Sequence, residues 1–296
     1  MRSKLFVPAS RPELFAKAMA SAADALSFDL EDAVAADSKG MARSAMQSLL
    51  QGDGSGPAPR RIGQAHQKII VRVNAVCSTH FEEDLKAIVS PALDVINLPM
   101  VESVQAIHDA AGMIAQLARV RQVEHTIGLL INIESPRGLR LAPQLALAHT
   151  SIMGLQIGYG DLFAPLGIAS GEPSATQYVR TAVRMAAGEA GIAAYDGAFV
   201  NFRDTEGFRR DATSARALGF AGRSCIHPSQ IAIANEVFMP TPTELAHALK
   251  VVQAAEAHLR AGVGAFSVDG RLVDGPFITE AQQLVALGTR LGLLDG

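Results

Sequence analysis

The chain has 296 residues, 49% of them hydrophobic, enough to bury a large core, and an α/β barrel uses about 250 residues as one domain. Its formal net charge of −3 leaves no basic footprint for nucleic acid, although a few cations could still bind a phosphorylated ligand locally. Cys77 and Cys225 lack metal-type spacing, which argues against a zinc site and a disulfide framework, and no run approaches the roughly 20 apolar residues of a membrane span. Arg2 and Lys4 precede only Leu5, Phe6 and Val7 before Pro8, too little for a signal segment. A soluble, cytoplasmic protein with no membrane or nucleic-acid partner is expected.

In chain order, Lys4 to Pro8 is a short apolar strand, and Ser10, Pro12 and Glu13 predict a helix start with Ser10 as N-cap in a capping box. Ala25 to Leu30 is a second strand that ends in Asp29, Glu31 and Asp32; three acids at one strand end are costly unless they meet a cation, a donor network or water. A helix follows over Asp37 to Leu50. Gln51 to Gln67, rich in Gly, Pro and Arg, reads as an exposed loop. Lys68 to Asn74 is a third strand with Arg72 near its end, and Asp94 to Met100 is a fourth, followed by a helix from about Ser103 to Arg121.

Two apolar runs then each end in a carboxylate. One runs from Thr126 to Glu134 and the other from Ile152 to Asp161, with a helix around Leu139 to His149 between them. Runs this continuous predict strands buried on both faces of a parallel sheet. Further on come a helix over Ser174 to Ala190, a strand over Ala194 to Val200, a helix over Thr205 to Leu218 and a strand over Gly222 to His227, with Ser229 capping the next helix. Strands and helices alternate through eight units, which predicts a (β/α)8 TIM barrel over residues 1–240, with an open doubly wound sheet as the competing layout. Gly158-Tyr159-Gly160 resembles part of a dinucleotide fingerprint, but Phe163 stands at the third Gly position. Residues 241–296 predict a C-terminal helix-hairpin-helix extension, a lid or oligomerisation arm: a helix over Thr243 to Ala261, a hairpin over Phe266 to Asp274 turning at Asp269-Gly270, and a helix over Ile278 to Leu291.

In a parallel barrel the C-terminal strand ends carry the chemistry. Glu134 and Asp161 would leave adjacent strand ends there and could share a hard divalent cation such as Mg²⁺. Spacing alone leaves equally open that Glu134 caps the following helix and Asp161 closes a glycine turn. Arg11 and Lys17 lie at the start of the first helix and are candidates for ligand phosphates, since a helix N-terminus favours anions. His227 could be a base, but a strand-end His before Pro is more often structural.

The ordered motifs resemble the HpcH/HpaI aldolase and citrate lyase beta-subunit-like family, in its acyl-CoA lyase branch. They are Arg2-Ser3-x-Leu5-Phe6-Val7-Pro8 with Arg11-Pro12-Glu13; Phe28-Asp29-Leu30-Glu31-Asp32; Val71-Arg72-Val73-Asn74; Leu98-Pro99-x-Val101-Glu102-Ser103; Ile133-Glu134-Ser135-Pro136; Gly158-x-Gly160-Asp161-Leu162; His227-Pro228-x-Gln230; and Asp269-Gly270-Arg271-Leu272-Val273-Asp274-x-Pro276. Each is weak alone; the ordered set spans nearly the whole chain.

The resemblance implies a homotrimer or hexamer, a Mg²⁺ ion, and reversible carbon–carbon cleavage of a 3-hydroxyacyl-CoA thioester of malyl, citramalyl or citryl type. The products would be an acyl-CoA such as acetyl-CoA and a 2-oxo acid such as glyoxylate, pyruvate or oxaloacetate. By motif, Glu134 and Asp161 fall on the metal ligands, Arg72 on the group that holds the oxo-acid carboxylate, and Gly158, Gly160 and Asp161 on the substrate turn. Asp274 falls on an acid that works in the neighbouring subunit's site, and Glu31 and Asp32 stand behind Arg72 or metal-bound water. The chain departs from the family at Met100, where Lys is usual, and at Tyr159, where many relatives carry an acid. Two other functions compete. One is a pyruvate-type class II aldolase on free hydroxy-oxo acids, disfavoured by Asp32 and the Asp274 tail. The other is a non-catalytic subunit that binds an acyl carrier protein, disfavoured by intact Glu134, Asp161 and Arg72.

Overall fold

The structure is a computed structural model that describes residues 1–51 and 62–294. Most of the expected loop between Gln51 and Gln67 therefore lies outside the described residues. The chain divides into two compact units, Met1–Phe238 and Met239–Gly296.

The first unit is built from eight β-strands and their connecting helices. In order these are β1 (Ser3–Pro8), α1 (Phe15–Met19), β2 (Ala25–Asp29), α2 (Lys39–Gln51), β3 (Lys68–Arg72), α3 (Phe81–Ile88), β4 (Val95–Leu98) and α4 (Val104–Val120). Then come β5 (Gly128–Ile133), α5 (Pro136–Ala146), β6 (Ile152–Ile157), α6 (Tyr159–Phe163), α7 (Pro173–Glu189), β7 (Ala193–Asp196), α8 (Thr205–Ala217), β8 (Gly222–Cys225) and α9 (Ser229–Val237). All neighbouring strands pair in parallel, and β8 closes onto β1, so the expected (β/α)8 barrel is the observed fold and the open sheet is excluded.

Strand alternation sorts the side chains into two cores. Leu5, Val7, Leu26, Phe28, Ile69, Val71, Ile131 and Ile133 join the large cluster shared with the helices. Their sequence neighbours Ala25, Ile70, Val95, Leu130 and Tyr195 form a small separate cluster, the apolar floor inside the barrel. The register places Lys4, Ser27, Arg72, Asn97, Asn132 and Gln156 on this inner face too, where the interior turns polar.

Local chemistry sets the boundaries. Ser103 accepts the Ala106 N–H at 3.1 Å and starts α4; Ser135 accepts the Gly138 N–H at 3.0 Å, with Pro136 opening α5. The expected Ser10 capping box does not form. Arg11 N–H bonds Pro8 O at 3.0 Å, so Ser10 sits inside a turn, and Pro12–Leu14 is a single 3₁₀ turn capped by Arg11 without a side-chain bond. Ser229 is not a cap either. It is the first residue of α9, and its N–H donates to His227 Nδ1 at 3.2 Å. α3 and the five-residue α6 fall where the sequence predicts no element.

In the second unit, α10 (Pro242–Arg260) starts with a full capping box between Thr241 and Glu244. β9 (Phe266–Val268) and β10 (Arg271–Val273) form the expected hairpin, followed by α11 (Gly275–Arg290). Asp269 and Gly270 turn it with φ of 49° and 76°, the left-handed pair of a type I′ turn. Ala248, Val251, Ala255, Phe266, Val268, Val273, Ile278 and Ala281 make this unit's own core.

Candidate active site

The site is built at the C-terminal ends of the strands, beginning with Arg72 on β3. The register sets Arg72 opposite Asp29, the last residue of β2. Arg72 Nε donates to Asp29 Oδ1 at 2.8 Å and Nη2 to Oδ2 at 2.6 Å, a bidentate pair of the strong kind. Nη1 donates to Asp32 Oδ2 at 3.2 Å, and Glu31 Oε2 lies 2.8 Å from the same nitrogen. The sequence predicts Glu31 and Asp32 as partners of Arg72; the closest partner is Asp29, set opposite it by the strand register. Lys39 holds the acid loop in place, with Nζ donating to Leu30 O and Glu31 O at 2.8 Å each and to Asn74 Oδ1 at 2.7 Å.

Glu134 follows β5 and is only 2% exposed. Its Oε1 accepts the Met100 N–H at 2.6 Å and its Oε2 accepts Asn132 Nδ2 at 3.0 Å. Met100 turns its amide to the carboxylate from a left-handed backbone, φ 49°, which is uncommon outside glycine and leaves its side chain exposed. Glu134 is thus an anchored acceptor; the cap of α5 is Ser135. Gly158 is needed for space, since a Cβ there would stand 2.3 Å from Glu134 Oε2. At Gly160 nothing lies within 4 Å of such a Cβ.

Asp161 sits exposed in the first turn of α6, one turn past the end of β6. The turn is pinned by Tyr159, whose hydroxyl donates to the fully buried Asp196 Oδ1 at 2.7 Å. Its ring lies against Gly197, where an added Cβ would come within 2.5 Å of Tyr159 Cδ2.

Charge at this mouth is unbalanced. Asp29, Glu31, Asp32, Glu134 and Asp161 face Arg72, with buried Lys4 beneath. Burial first, then the charges of Asp32, Glu134 and Asp29, outweigh Arg72 and push Glu31 up to about 8. Burial also raises Glu134, helped by Asp161, and raises Asp161, helped by Asp32. Burial pulls Arg72 down, but the bonds to Asp29 and the surrounding acids more than reverse it. Asp29 is likewise pushed up by burial and carried below the usual carboxylate range by Arg72. The mouth therefore has hard, negatively charged oxygen donors in excess, the donor chemistry of Mg²⁺. Among the described residues, no group of three His, Cys, Asp or Glu side chains could hold a metal. Two carboxylates with water and substrate oxygens is a shell Mg²⁺ accepts, and these residues fit the ion.

Other expected positions fall elsewhere. Arg11 is exposed and paired with Glu13 at 2.8 Å, and Lys17 lies in the last turn of α1, the end where a helix does not favour anions. His227 is exposed, stacked on Phe202 with centroids 4.8 Å apart and bonded to Ser229, a surface role. In the second unit, Asp274 is the N-cap residue of α11 but makes no cap bond, and its Oδ1 is buried without a hydrogen-bond partner. Burial pushes the Cys225 thiol up to about 12, and Cys77 is exposed. Outside the acid mouth, a cavity of about 600 Å³ between α5, α6 and α7 is lined mainly by apolar side chains such as Leu139, Leu162, Phe163 and Ile168.

A closed parallel barrel that gathers carboxylates and an arginine at its C-terminal strand ends is a TIM-barrel enzyme. The chain belongs to the HpcH/HpaI aldolase/citrate lyase family, whose profile matches residues 2–228. That membership makes it a carbon–carbon lyase. It is 35% identical to citrate lyase subunit beta of Escherichia coli, over 99% of this chain and 95% of that one. It is 30% identical to the L-malyl-CoA/beta-methylmalyl-CoA lyase of Cereibacter sphaeroides, covering 96% and 93% of the two chains. Among solved structures it is similar to protein CitE from Mycobacterium tuberculosis in complex with magnesium, acetoacetate and coenzyme A, with TM-score 0.74, 31% identity, and 97% and 98% of the chains covered. No helix among the described residues is long and apolar enough to cross a membrane.

Proposed function

We propose that this protein is a Mg²⁺-dependent lyase that cleaves a 3-hydroxyacyl-CoA thioester of the malyl-, citramalyl- or citryl-CoA type. The products are an acyl-CoA such as acetyl-CoA and a 2-oxo acid. The observation that carries this reading is the surplus of buried and half-buried carboxylate at the barrel mouth around a single arginine. The CitE complexes with magnesium and with oxo acids or coenzyme A support the same ligand set.

Glu134 and Asp161 would hold the ion. When bound, it supplies Lewis-acid polarisation and positive charge where negative charge develops on the substrate oxygen. Arg72 donates three N–H groups to Asp29 and Asp32, leaving one on Nη2 for the oxo-acid carboxylate and one on Nη1, where Glu31 Oε2 also stands 2.8 Å away. Asp32, 61% exposed and at the longest contact, is the partner that yields when substrate enters. Met100 N–H and Asn132 fix the Glu134 carboxylate so that no reorganisation is needed during turnover. The Gly158 to Asp161 turn brings backbone close to Glu134 on the substrate side. In cleavage the 3-hydroxyl gives up its proton as its oxygen becomes the oxo-acid carbonyl, the carbon–carbon bonding pair moves onto the thioester α-carbon, and that carbon takes a proton, so one proton leaves and one is gained. We assign that proton transfer to Asp274 from the tail of a neighbouring subunit in a homotrimer or hexamer; its buried, unbonded Oδ1 is consistent with a group held for use.

The test is a substrate panel. Purified protein with Mg²⁺ is given malyl-, citramalyl- and citryl-CoA, and free 2-oxo acid is read out. One of the three should turn over, and excess chelator should abolish it. Turnover of free hydroxy-oxo acids alone would favour the aldolase reading, and turnover only of a carrier-protein thioester would replace coenzyme A as the handle. Full activity in Asp274→Asn would return that residue to a hairpin end.

A further inference from the structure

The barrel interior holds a lysine that the proposed reaction leaves unused. TIM-barrel interiors are ordinarily layers of branched apolar side chains. Here Lys4 on β1 is 2% exposed on the inner face, and it is one of the largest fully enclosed side chains in the protein. The one hydrogen bond of its side chain among the described residues is long, Nζ to Asn97 Oδ1 at 3.4 Å. Nζ also lies 4.3 Å from the centroid of the Phe6 ring, which Arg72 Cζ approaches at 5.2 Å. Burial first, and the Arg72 charge second, hold the Lys4 pKa well below the usual lysine value. A buried amine with one weak bond costs folding free energy that a methionine of similar length would not. Stability alone gives no reason for it.

The bonds beyond Lys4 give one. A lysine ammonium can only donate, and Asn97 presents Oδ1 to it. Asn97 Nδ2 is thereby directed to Leu130 O at 3.0 Å and to Asn132 Oδ1 at 2.7 Å. With its oxygen taken, and taken again by Gln156 Nε2 at 3.2 Å, Asn132 turns Nδ2 to Glu134 Oε2 at 3.0 Å. A flipped Asn132 would instead set an amide oxygen against a carboxylate oxygen. The chain from Lys4 to Glu134 has one polarity, set at its far end by the lysine donor and held in the same sense by the Leu130 carbonyl.

We propose that Lys4 is a positioning residue of the active site, which through Asn97 and Asn132 fixes the orientation of the Glu134 carboxylate. This rests on the reading of Glu134 as a metal ligand. Partners that orient ligating carboxylates are worth about 10- to 100-fold in metal affinity or activity.

The experiment uses the full chain as Lys4→Met, Asn97→Leu and the double variant. Mg²⁺ affinity is measured by calorimetry, and the melting temperature is measured in chelator. Lys4→Met should weaken Mg²⁺ binding by about tenfold while melting at the unmodified temperature or above. The double variant should bind no more weakly than the weaker single, because both interrupt one chain. Unchanged or tighter Mg²⁺ binding in Lys4→Met overturns the proposal. So does a Lys4→Met chain that melts lower or fails to fold, or additive losses in the double variant. If the unmodified protein itself binds no Mg²⁺, the metal reading falls and this one with it; if it binds and only the Lys4 effect is missing, the metal reading stands.

Discussion

On the β7–β8 side of the barrel, Arg180 and Arg223 meet Asp196 and Asp211; at the β2–β3 mouth, Arg72 meets Asp29, Glu31 and Asp32, with Glu134 and Asp161 beside them. The first cluster is balanced, two cations to two anions. Arg180 binds Asp196 through Nε at 3.2 Å and Nη2 at 2.8 Å, and shares Nη2 with Asp211 at 2.8 Å. Arg223 reaches Asp211 at 3.0 Å and lies over the Phe208 ring. Burial pushes the Asp211 carboxyl up, and the two arginines more than reverse it, leaving it lowered. In the second cluster the same burial is not reversed: Glu31, Glu134 and Asp161 are all raised. The balanced cluster carries no surplus charge and holds the fold, although Arg223 Nε and Nη1 are buried without hydrogen bonds among the described residues. An unbalanced one retains unmet affinity for a cation. Tyr159 joins the two, with its hydroxyl in the balanced cluster and its backbone in the turn that carries Asp161.

The comparison breaks most sharply if the two clusters respond alike to substitution. Glu134→Gln with Asp161→Asn should lower turnover by at least ~10²- to 10³-fold with little loss of melting temperature, because the raised carboxylates are already unfavourable when charged. Arg180→Met should do the reverse. It leaves Asp196, at 0% exposure, with only the Tyr159 hydroxyl and Arg223 at 3.5 Å, and should cost about 3–5 kcal/mol in chemical denaturation, while the folded fraction keeps its Mg²⁺ affinity. Near-equal stability of Arg180→Met would mean the balanced cluster is not what holds β7 and β8.

Arg72→Lys should be milder. A lysine cannot keep both bonds to Asp29 and still offer a donor pair, so oxo-acid affinity in the condensation direction should fall about 10- to 100-fold. Unchanged affinity would make Arg72 a structural cation. The smallest effect concerns Glu31. Its carboxyl is raised from 4.5 to about 8, so the folded state binds that proton more tightly than the unfolded chain. The associated stability is fully present below pH 4.5 and is lost as pH rises toward about 8. In chelator, melting temperature should therefore decline across this window, and Glu31→Gln should flatten the decline; an unchanged slope would place the charge excess elsewhere.

Much of this was legible in the sequence. Ile, Leu and Val runs mark β3 and β5 most plainly, while β7 and β8 carry none of these residues and show only in the alternation of elements, and acids at two run ends mark Glu134 and Asp161. What escaped has physical causes. α6 spans five residues, too short to show a 3.6-residue period, so Asp161 looked like a turn residue rather than one in a helix's first turn. α3 is only eight residues and opens with Glu82, Glu83 and Asp84, its apolar face carried by Phe81, Leu85 and Ile88; that spacing was a usable signal. Ser10 and Ser229 have capping chemistry, but a turn and a ring nitrogen occupy the places they would need. The Asp29–Arg72 pair depends on register, which apolar composition does not encode. Lys4 was hidden because strands buried on both faces conceal which face is the inner one, yet Leu130, Asn132 and Glu134 alternate along β5 and its end, and that spacing points to one polar inner stripe.

If the unbalanced mouth is the Mg²⁺ site and the balanced cluster is not, only substitutions at the mouth should remove metal binding. Calorimetric titration of Mg²⁺ into metal-free protein tests it directly, comparing the unmodified chain, the Glu134→Gln Asp161→Asn double variant, and Arg180→Met. The account requires binding in the first, its loss in the second, and unmodified affinity in the folded third. Equal Mg²⁺ binding by the double variant and the unmodified chain would contradict it.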